Sequence, residues 1–514
     1  MNWELFVLIL YFAGMLGIGL FLFLKSKSKS EKDYFLGGKT MGPWVTAMSA
    51  QASDMSAWLL MGLPGSILAF GLGQVWIGIG LALGTALNWI LIAKRLRRFS
   101  AAANDSLTLP QYLSNRFATK SKSLQAICAV VFLICFTVYV ASAFVAGTDV
   151  FTTLFPNIER WVAMIIFAAI LILYTFLGGY KAVCWTDFFQ GLLMLGAVLL
   201  VPIIIIATND LDSSLLANAV TSASGTEYSF VNSVFGAPFN DIVNGLAWGL
   251  GYFGMPHILV RFMAIKKPSM VKKSATVAIV WCTLALGAVV CLAIFARMLP
   301  TGEELLAGDK QSLVFVQFAR DLFPAAITGI LLAAIIAASM STADSQLLVA
   351  SSSFTSDLYK PLIRKKASDK ETLWVGRIVV IVVAIIAFFI ASSKGQGAQA
   401  IMNLVSNAWA GFGSAFGSVI ILSVFWRRFT YKGALVGVIA GAVTDVLWLV
   451  LFTSTLDGMF GAGVSTCVYN TGIYELIPGF AVSMIAAVVA TLLDKEPSKE
   501  VTDIYDAATA AVEE

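Results

Sequence analysis

Apolar runs of about 20 residues, enough to cross a bilayer as a helix, recur from end to end of this chain. Short stretches rich in Gly, Ser, Asn and charge separate them. The alternation predicts thirteen spans, at roughly 4–24, 43–69, 73–93, 124–149, 161–178, 186–207, 241–260, 274–296, 325–355, 374–392, 399–425, 432–452 and 476–493. The run at the N-terminus has no basic segment before it and no small-residue cleavage site after it. It therefore reads as a retained first helix and not as a removed leader.

Two spans interrupt their own apolarity. The second contains QASDMSAWLLMGLPG (51–65), in which an acid, two serines and a Gly-x-Pro-Gly step sit among apolar residues. The seventh reads NDIVNGLAWGLGYFGMPHILVRF, with Gly245, Gly249, Gly251, Gly254 and Pro256. Glycine and proline in mid-span free backbone groups, which is tolerable only where protein, water or an ion satisfies them again. The glycines have a second reading, close packing of helices.

Spans two and seven lie five apart, and five consecutive spans reverse the sense of the next set. The pattern predicts two inverted units, about 43–207 and 241–425, with one helix before them and two after. Residues 1–494 then form one all-α polytopic membrane domain, and 495–514 a short, acidic, solvated tail.

Composition agrees with this class. The 514 residues are 59% hydrophobic and 12% charged, with a mean hydropathy of +0.85. An ordinary soluble protein carries about twice that charged fraction. A sizeable soluble domain and nucleic-acid binding are both excluded as expectations. Of the 34 Lys and Arg, 29 fall in alternate loops, leaving Arg160, Arg297, Lys310, Arg320 and Lys394 on the other side. That asymmetry predicts an external N-terminus and a cytoplasmic C-terminus. The external connection 208–240 is polar, has no basic residue, and reads as either a gate or a linker. The six cysteines show no metal-ligand spacing.

The chemistry gathers at the interruptions. Unwound backbone exposes carbonyl oxygens suited to a hard cation, and half-helix N-termini suit a carboxylate. In span nine, Ala338, Ser341 and Thr342 are spaced i, i+3 and i+4 and so share one face. Their oxygens, with carbonyls near Ala52 and Met55, make a candidate cation shell. Nucleotide loops, metal-ligand clusters and nucleophile–base pairs are lacking, so the expectation is a protein that is not an enzyme.

Four segments carry a resemblance: ASDMSAWLLMGLPG (52–65), GGYKAVCWTDFFQ (178–190), GLAWGLGYFGMPHILVRFMA (245–264) and MSTADSQLL (340–348). Together they resemble the sodium/solute symporters, and most closely the bacterial branch that carries proline. The resemblance spans nearly the whole chain. It implies a LeuT-type inverted-repeat fold in the bacterial plasma membrane and Na⁺-coupled uptake of L-proline by alternating access. It implies no organic cofactor and no obligatory protein partner.

Matched residue by residue, the resemblance implies sodium ligands at Ala52, Met55, Ala338, Ser341 and Thr342. Asp54 would tune that site or cap the broken helix. Substrate residues would be Ser56, Trp58, Tyr139, Trp248, Tyr252 and Pro256. Asp187, with Ser341, Asp344 and Ser345, matches a second cation site of some relatives, for Na⁺ or a proton; the other reading of Asp187 is a loop-side helix cap. Two positions depart from the proline-carrying pattern: Ala57 stands where glycine is expected, and Lys39 where arginine is. Asp445 and His257 read as packing or hydrogen-bonded residues. Alternative cargoes are another small amino acid, pantothenate or a sugar, and a transporter-like sensor is the alternative of another class. A sensor normally has a fused output domain, whereas this chain ends about twenty residues after span thirteen.

Overall fold

A computed structural model describes residues 3–25, 31–393, 397–453 and 467–510. The protein is mostly helical, at 82% of residues. Among the described residues, ten helices are long and apolar enough to cross a membrane. The three predicted spans outside those ten are shorter or interrupted pieces: 43–69, 161–178 and 241–260. Predicted spans five and six lie within one helical stretch, Arg160–Thr208, that kinks at Gly179. There φ is +62°, in the left-handed region that glycine adopts without penalty.

The first interruption is a true break. The helix Pro43–Asp54 stops, a π-helical turn runs over Trp58–Gly62, and the helix Leu63–Phe70 follows. At the stop the Ser56 amide bonds the Asp54 carbonyl at 3.0 Å instead of reaching back to Ala52. The Leu59 amide likewise bonds Ser56 at 3.1 Å and not Met55. The carbonyls of Ala52 and Met55 thus lose the i+4 donors a continuous helix would supply.

The second interruption separates Phe239–Gly251 from Pro256–Ala264. Pro256 opens the second piece, where its missing N–H costs nothing. Break and close packing coexist here. A Cβ on Gly249 would stand 2.5 Å from the Gly80 carbonyl oxygen, and one on Gly251 only 1.9 Å from Nε1 of Trp409. The second piece also runs past Val260, the predicted end, and carries Arg261 with it. Arg261, read from sequence as a loop residue, is buried at 1% exposure.

Between the breaks runs the unbroken helix Ala325–Ser353, buried from Leu331 through Ser353 and packed on Ser123–Leu154, Arg160–Thr208 and both broken helices. The 208–240 connection forms a two-strand hairpin, Val220–Thr221 against Glu227–Tyr228. It also ties to the end of the first broken helix, where the Leu72 amide bonds the Val231 carbonyl at 2.7 Å. The tail differs from the solvated segment expected. Lys499–Ala510 is a helix with Val501 and Ala508 buried, packed across Lys94–Ala102. Apolar residues at 501, 504, 505 and 508 give it one adhesive face despite its acidic composition.

Candidate functional site

The freed carbonyl of Ala52 points at the Ser-Thr face of helix Ala325–Ser353. Ser341 Oγ donates to it at 2.8 Å and Thr342 Oγ1 at 3.4 Å. Ser341 Oγ also lies 3.3 Å from the Ala338 carbonyl. Four of the five expected sodium ligands therefore meet in one cluster of hard oxygens, all buried. Met55 is buried at the break, with its carbonyl freed there.

Asp54 faces away from the capping role. The two helical pieces that follow the break, Trp58–Gly62 and Leu63–Phe70, begin without a side-chain cap. Asp54 Oδ2 instead accepts a 2.5 Å hydrogen bond from the Tyr252 hydroxyl, at the second break. The Trp58 indole donates to the Asp54 carbonyl at 3.4 Å, which turns that ring back over the interruption.

The expected substrate residues are all buried, and aromatic rings link three of them. Trp58 and Trp248 have ring centroids 6.4 Å apart, and Trp248 stacks on Tyr474 at 5.7 Å. Tyr252 meets Trp409 edge-on at 5.0 Å. The Tyr139 hydroxyl faces Ser56, and its ring lies 6.3 Å from His257. Pro256 begins the half-helix below this wall and belongs to the backbone of the break more than to the ring cluster.

Sequence reasoning missed Trp409 and Tyr474. Trp409 donates from Nε1 to the Trp248 carbonyl at 2.8 Å, and the Tyr474 hydroxyl donates to the Ser406 carbonyl at 2.7 Å. An aromatic in an apolar span carries no contrast with its neighbours. Only the glycine opposite, Gly251, was a visible trace of Trp409.

Asp187 is neither a loop-side cap nor a carboxylate without a basic neighbour. It is fully buried, and Arg261 Nη2 stands 3.0 Å from its Oδ2. The guanidinium is held on every side: Nε donates to Ser49 Oγ at 2.9 Å, Nη2 to Ser345 Oγ at 2.5 Å, and Nη1 to the His257 carbonyl at 2.5 Å. Ser49 Oγ in turn donates to Asp187 at 2.7 Å. Asp344 is buried beside Ser345 on the same helix. The place expected to take a second cation thus already holds a resident one.

Outside the membrane core, Lys39 makes an ion pair with Asp105, which Lys32 shares at 2.5 Å. Burial pushes the Lys39 ammonium below the usual lysine range, and Asp105 opposes that push. One compact ammonium suffices for this contact, so the lysine in place of arginine keeps the charge without a planar fork.

A family model described as the sodium:solute symporter family matches residues 34–441. This chain belongs to that family. Among symporters similar to it, the sodium/proline symporter of Escherichia coli (strain K12) is 43% identical over 492 residues, 95% of this chain and 92% of that one. The sodium/proline symporter of Haemophilus influenzae is 40% identical over 508 residues, covering 98% and 97%. A solved Na⁺-coupled sialic acid symporter, substrate-bound and outward-open, shares the fold with a TM-score of 0.71 at 21% identity, covering 97% of this chain and 99% of that one. The nucleobase-cation-symport-1 transporter Mhp1 gives 0.54 at 13% identity, covering 94% and 99%. The fold of this symporter is the LeuT-type fold of Na⁺-coupled transporters.

Proposed function

We propose that this multi-pass membrane protein is a secondary transporter that couples inward Na⁺ movement to uptake of L-proline by alternating access. The observation that carries the reading is the Ala52 carbonyl, stripped of its amide donor by the break and met instead by Ser341 and Thr342. A dehydrated Na⁺ needs several hard oxygens at once, and this cluster offers them where two helices of opposite repeats touch. Ala52, Ala338, Ser341 and Thr342 are the proposed ligands. The freed carbonyl of Met55 is the fifth. Na⁺ is the coupling ion, and no organic cofactor enters the scheme.

Proline carries a small apolar ring, a carboxylate and a secondary ammonium. Trp58, Trp248 and Tyr252 supply faces for the ring and cation–π attraction for the ammonium. The half-helix that begins at Pro256 supplies a positive dipole end for the carboxylate. Tyr139 and Ser56 close the polar side. A sugar needs several hydrogen-bonding side chains around it, and this wall is aromatic. The names of the relatives, sodium/proline symporter at 40% and 43% identity over nearly full length, support the same cargo.

At Asp187 we propose no second Na⁺. The Arg261 guanidinium supplies the positive charge that a buried carboxylate requires, so one Na⁺ accompanies each substrate.

Radiolabelled proline uptake into proteoliposomes, with and without an inward Na⁺ gradient, tests the whole reading. Accumulation that requires the Na⁺ gradient is expected. Uptake driven by a proton gradient without Na⁺ would overturn the coupling ion, and accumulation of another solute in place of proline would overturn the cargo.

A further inference from the structure

Helices Tyr431–Phe452 and Leu476–Leu493 pack antiparallel along two rows of small residues. A Cβ on Gly433 would stand 2.0 Å from Thr491 Oγ1, one on Gly437 2.8 Å from the Ala487 Cβ, and one on Gly441 2.9 Å from the Ser483 Cβ. Each step of four along one helix meets a step of four back along the other. The next step sets Asp445 opposite Gly479, with Glu475 one turn away on the same face. The rows of small residues thus end in two acids, within electrostatic reach of each other.

Both acids are buried, at 6% and 3% exposure. Ser414 Oγ donates to Asp445 Oδ1 at 3.1 Å, whereas Glu475 Oε1 is buried without a hydrogen-bond partner. Glu475 stands at the start of its helix, yet its side chain makes no cap there. No basic residue answers the pair. Residues 433–494 contain no Lys, Arg or His, and neither do the segments packed most extensively on the two helices, 123–154, 239–251 and 397–425. Lys432, at the far end of Tyr431–Phe452, pairs with Asp494 at 2.9 Å. Two neighbouring carboxylates inside a membrane without a countercharge are costly, and a proton is the smallest cation that removes one of the charges.

We propose that Asp445 and Glu475 form a proton-binding site that holds one proton between them at neutral pH. Na⁺ suits the donor set less well, because it needs several hard oxygens at once. Beyond the two carboxyls, Ser414 Oγ is the side-chain oxygen that bonds the pair among the described residues.

The site lies directly behind the aromatic wall. Tyr474 precedes Glu475, stacks on Trp248 at 5.7 Å, and holds its hydroxyl within electrostatic reach of both carboxyls. Its amide donates to Asn244 Oδ1 at 2.9 Å, which fastens it to the second broken helix. The other titratable groups near the pair are Cys135 and Tyr139 of Ser123–Leu154. Of the further acids on the packed helices, Asp149 pairs with Arg160, and Asp241 is exposed in the first turn of Phe239–Gly251. Loss of the proton sets two like charges across the helix contact and pushes Tyr474 away from Trp248. On the reading of that wall as the proline site, proline binds more weakly as pH rises.

The test titrates the full-length transporter in proteoliposomes, without proline, and follows the C=O stretch of protonated carboxyls by infrared difference spectroscopy. Wild type is expected to lose one such band between about pH 6 and about pH 9, within the range that buried carboxyls reach. The band is expected to be absent from Glu475→Gln and Asp445→Asn and present in Asp241→Asn. Spectra unchanged in the first two variants, or removal by Na⁺ of the band they identify, would overturn the proposal. This readout needs no cargo, so it stands or falls apart from the proline reading. In uptake at saturating Na⁺, the wild-type proline KM is expected to rise about fivefold or more over the same range, the low end of coupling between distinct sites. In Glu475→Gln, whose amide mimics the protonated acid, KM is expected to stay low throughout. A flat wild-type KM beside a titrating band would overturn the link to the wall. Should neither variant accumulate, Ser414→Ala decides: losing the donor to Asp445 is expected to move the band's titration to higher pH, and an unmoved titration would overturn the site.

Discussion

The hydroxyl of Tyr252 donates a 2.5 Å hydrogen bond to Oδ2 of Asp54, and this bond ties the second broken helix to the first. Asp54 lies two residues from the Ala52 carbonyl, and Tyr252 belongs to the aromatic wall. The contact therefore joins the proposed ion site to the proposed substrate site through one proton. Tyr252→Phe is expected to raise the Na⁺ concentration for half-maximal uptake and the proline KM together, each by roughly tenfold, the scale of one hydrogen bond to a charged group. In an Asp54→Asn background the same change is expected to add little to the Na⁺ effect, because the partner is already altered. Independent, fully additive effects in the four-variant cycle would separate the two sites.

Ser341→Ala and Thr342→Ala are expected to act chiefly on Na⁺. Each removes one hydroxyl oxygen from the cluster around the Ala52 carbonyl. Measured as the Na⁺ dependence of uptake at saturating proline, the half-maximal concentration should rise several-fold to tenfold or more, with Ser341 the larger effect because its bond is shorter. Unchanged Na⁺ dependence in both variants would remove them from the ion site.

Why these residues were legible in sequence, and others were not, follows from geometry. Ala338, Ser341 and Thr342 sit on a helix without a break, so spacing alone puts them on one face. The breaks were legible too, because glycine, proline and an acid stand out in an apolar run. Arg261 was not, since its role turned on whether a helix ended at 260 or 264, and the chain there offers only a gradual change of polarity. The docked tail was hidden for a related reason: its acidic composition masked an apolar face spaced every three to four residues.

Trp409 is expected to matter for substrate although no pattern pointed to it. Its indole N–H holds the Trp248 carbonyl, and its ring backs Tyr252. Trp409→Phe should weaken apparent proline affinity more than it changes the Na⁺ requirement. Gly251→Ala should be more severe, because the added methyl falls 1.9 Å from the Trp409 ring nitrogen and something must shift. Uptake kinetics at fixed Na⁺ distinguish the two, and partial recovery in Gly251→Ala/Trp409→Phe is expected if the clash is the cause.

Docking of the C-terminal helix should persist well into acid. Hydrogen bonds from Arg427 hold the Asp506 carboxyl below its ordinary value of 3.8. A carboxylate with a depressed value contributes fully above the unfolded value and loses that contribution as pH falls through the folded one. Amide exchange over residues 499–510, corrected for intrinsic rates, should stay slow from neutral pH down to about the ordinary aspartate range and accelerate only below it. Asp506→Asn should exchange faster already at neutral pH.

The Arg261–Asp187 pair yields the sharpest contrast between variants. Removing one member leaves the other charge buried without its partner, which typically costs about 3–5 kcal/mol. Arg261→Gln and Asp187→Asn are therefore each expected to lower the amount of folded transporter or its activity strongly, and Arg261→Lys to rescue only in part, since a single ammonium cannot reach Ser49, Ser345, the His257 carbonyl and Asp187 at once. Asp187→Asn/Arg261→Gln removes both charges and should recover folded protein relative to either single change. Stoichiometry then separates a resident cation from a transported one. Wild type should move one Na⁺ per substrate, read from charge movement against proline flux. The neutral pair should keep that ratio if Arg261 only compensates Asp187. A ratio of two in wild type, or a ratio that changes in the neutral pair, would return Asp187 to the role of a second ion site.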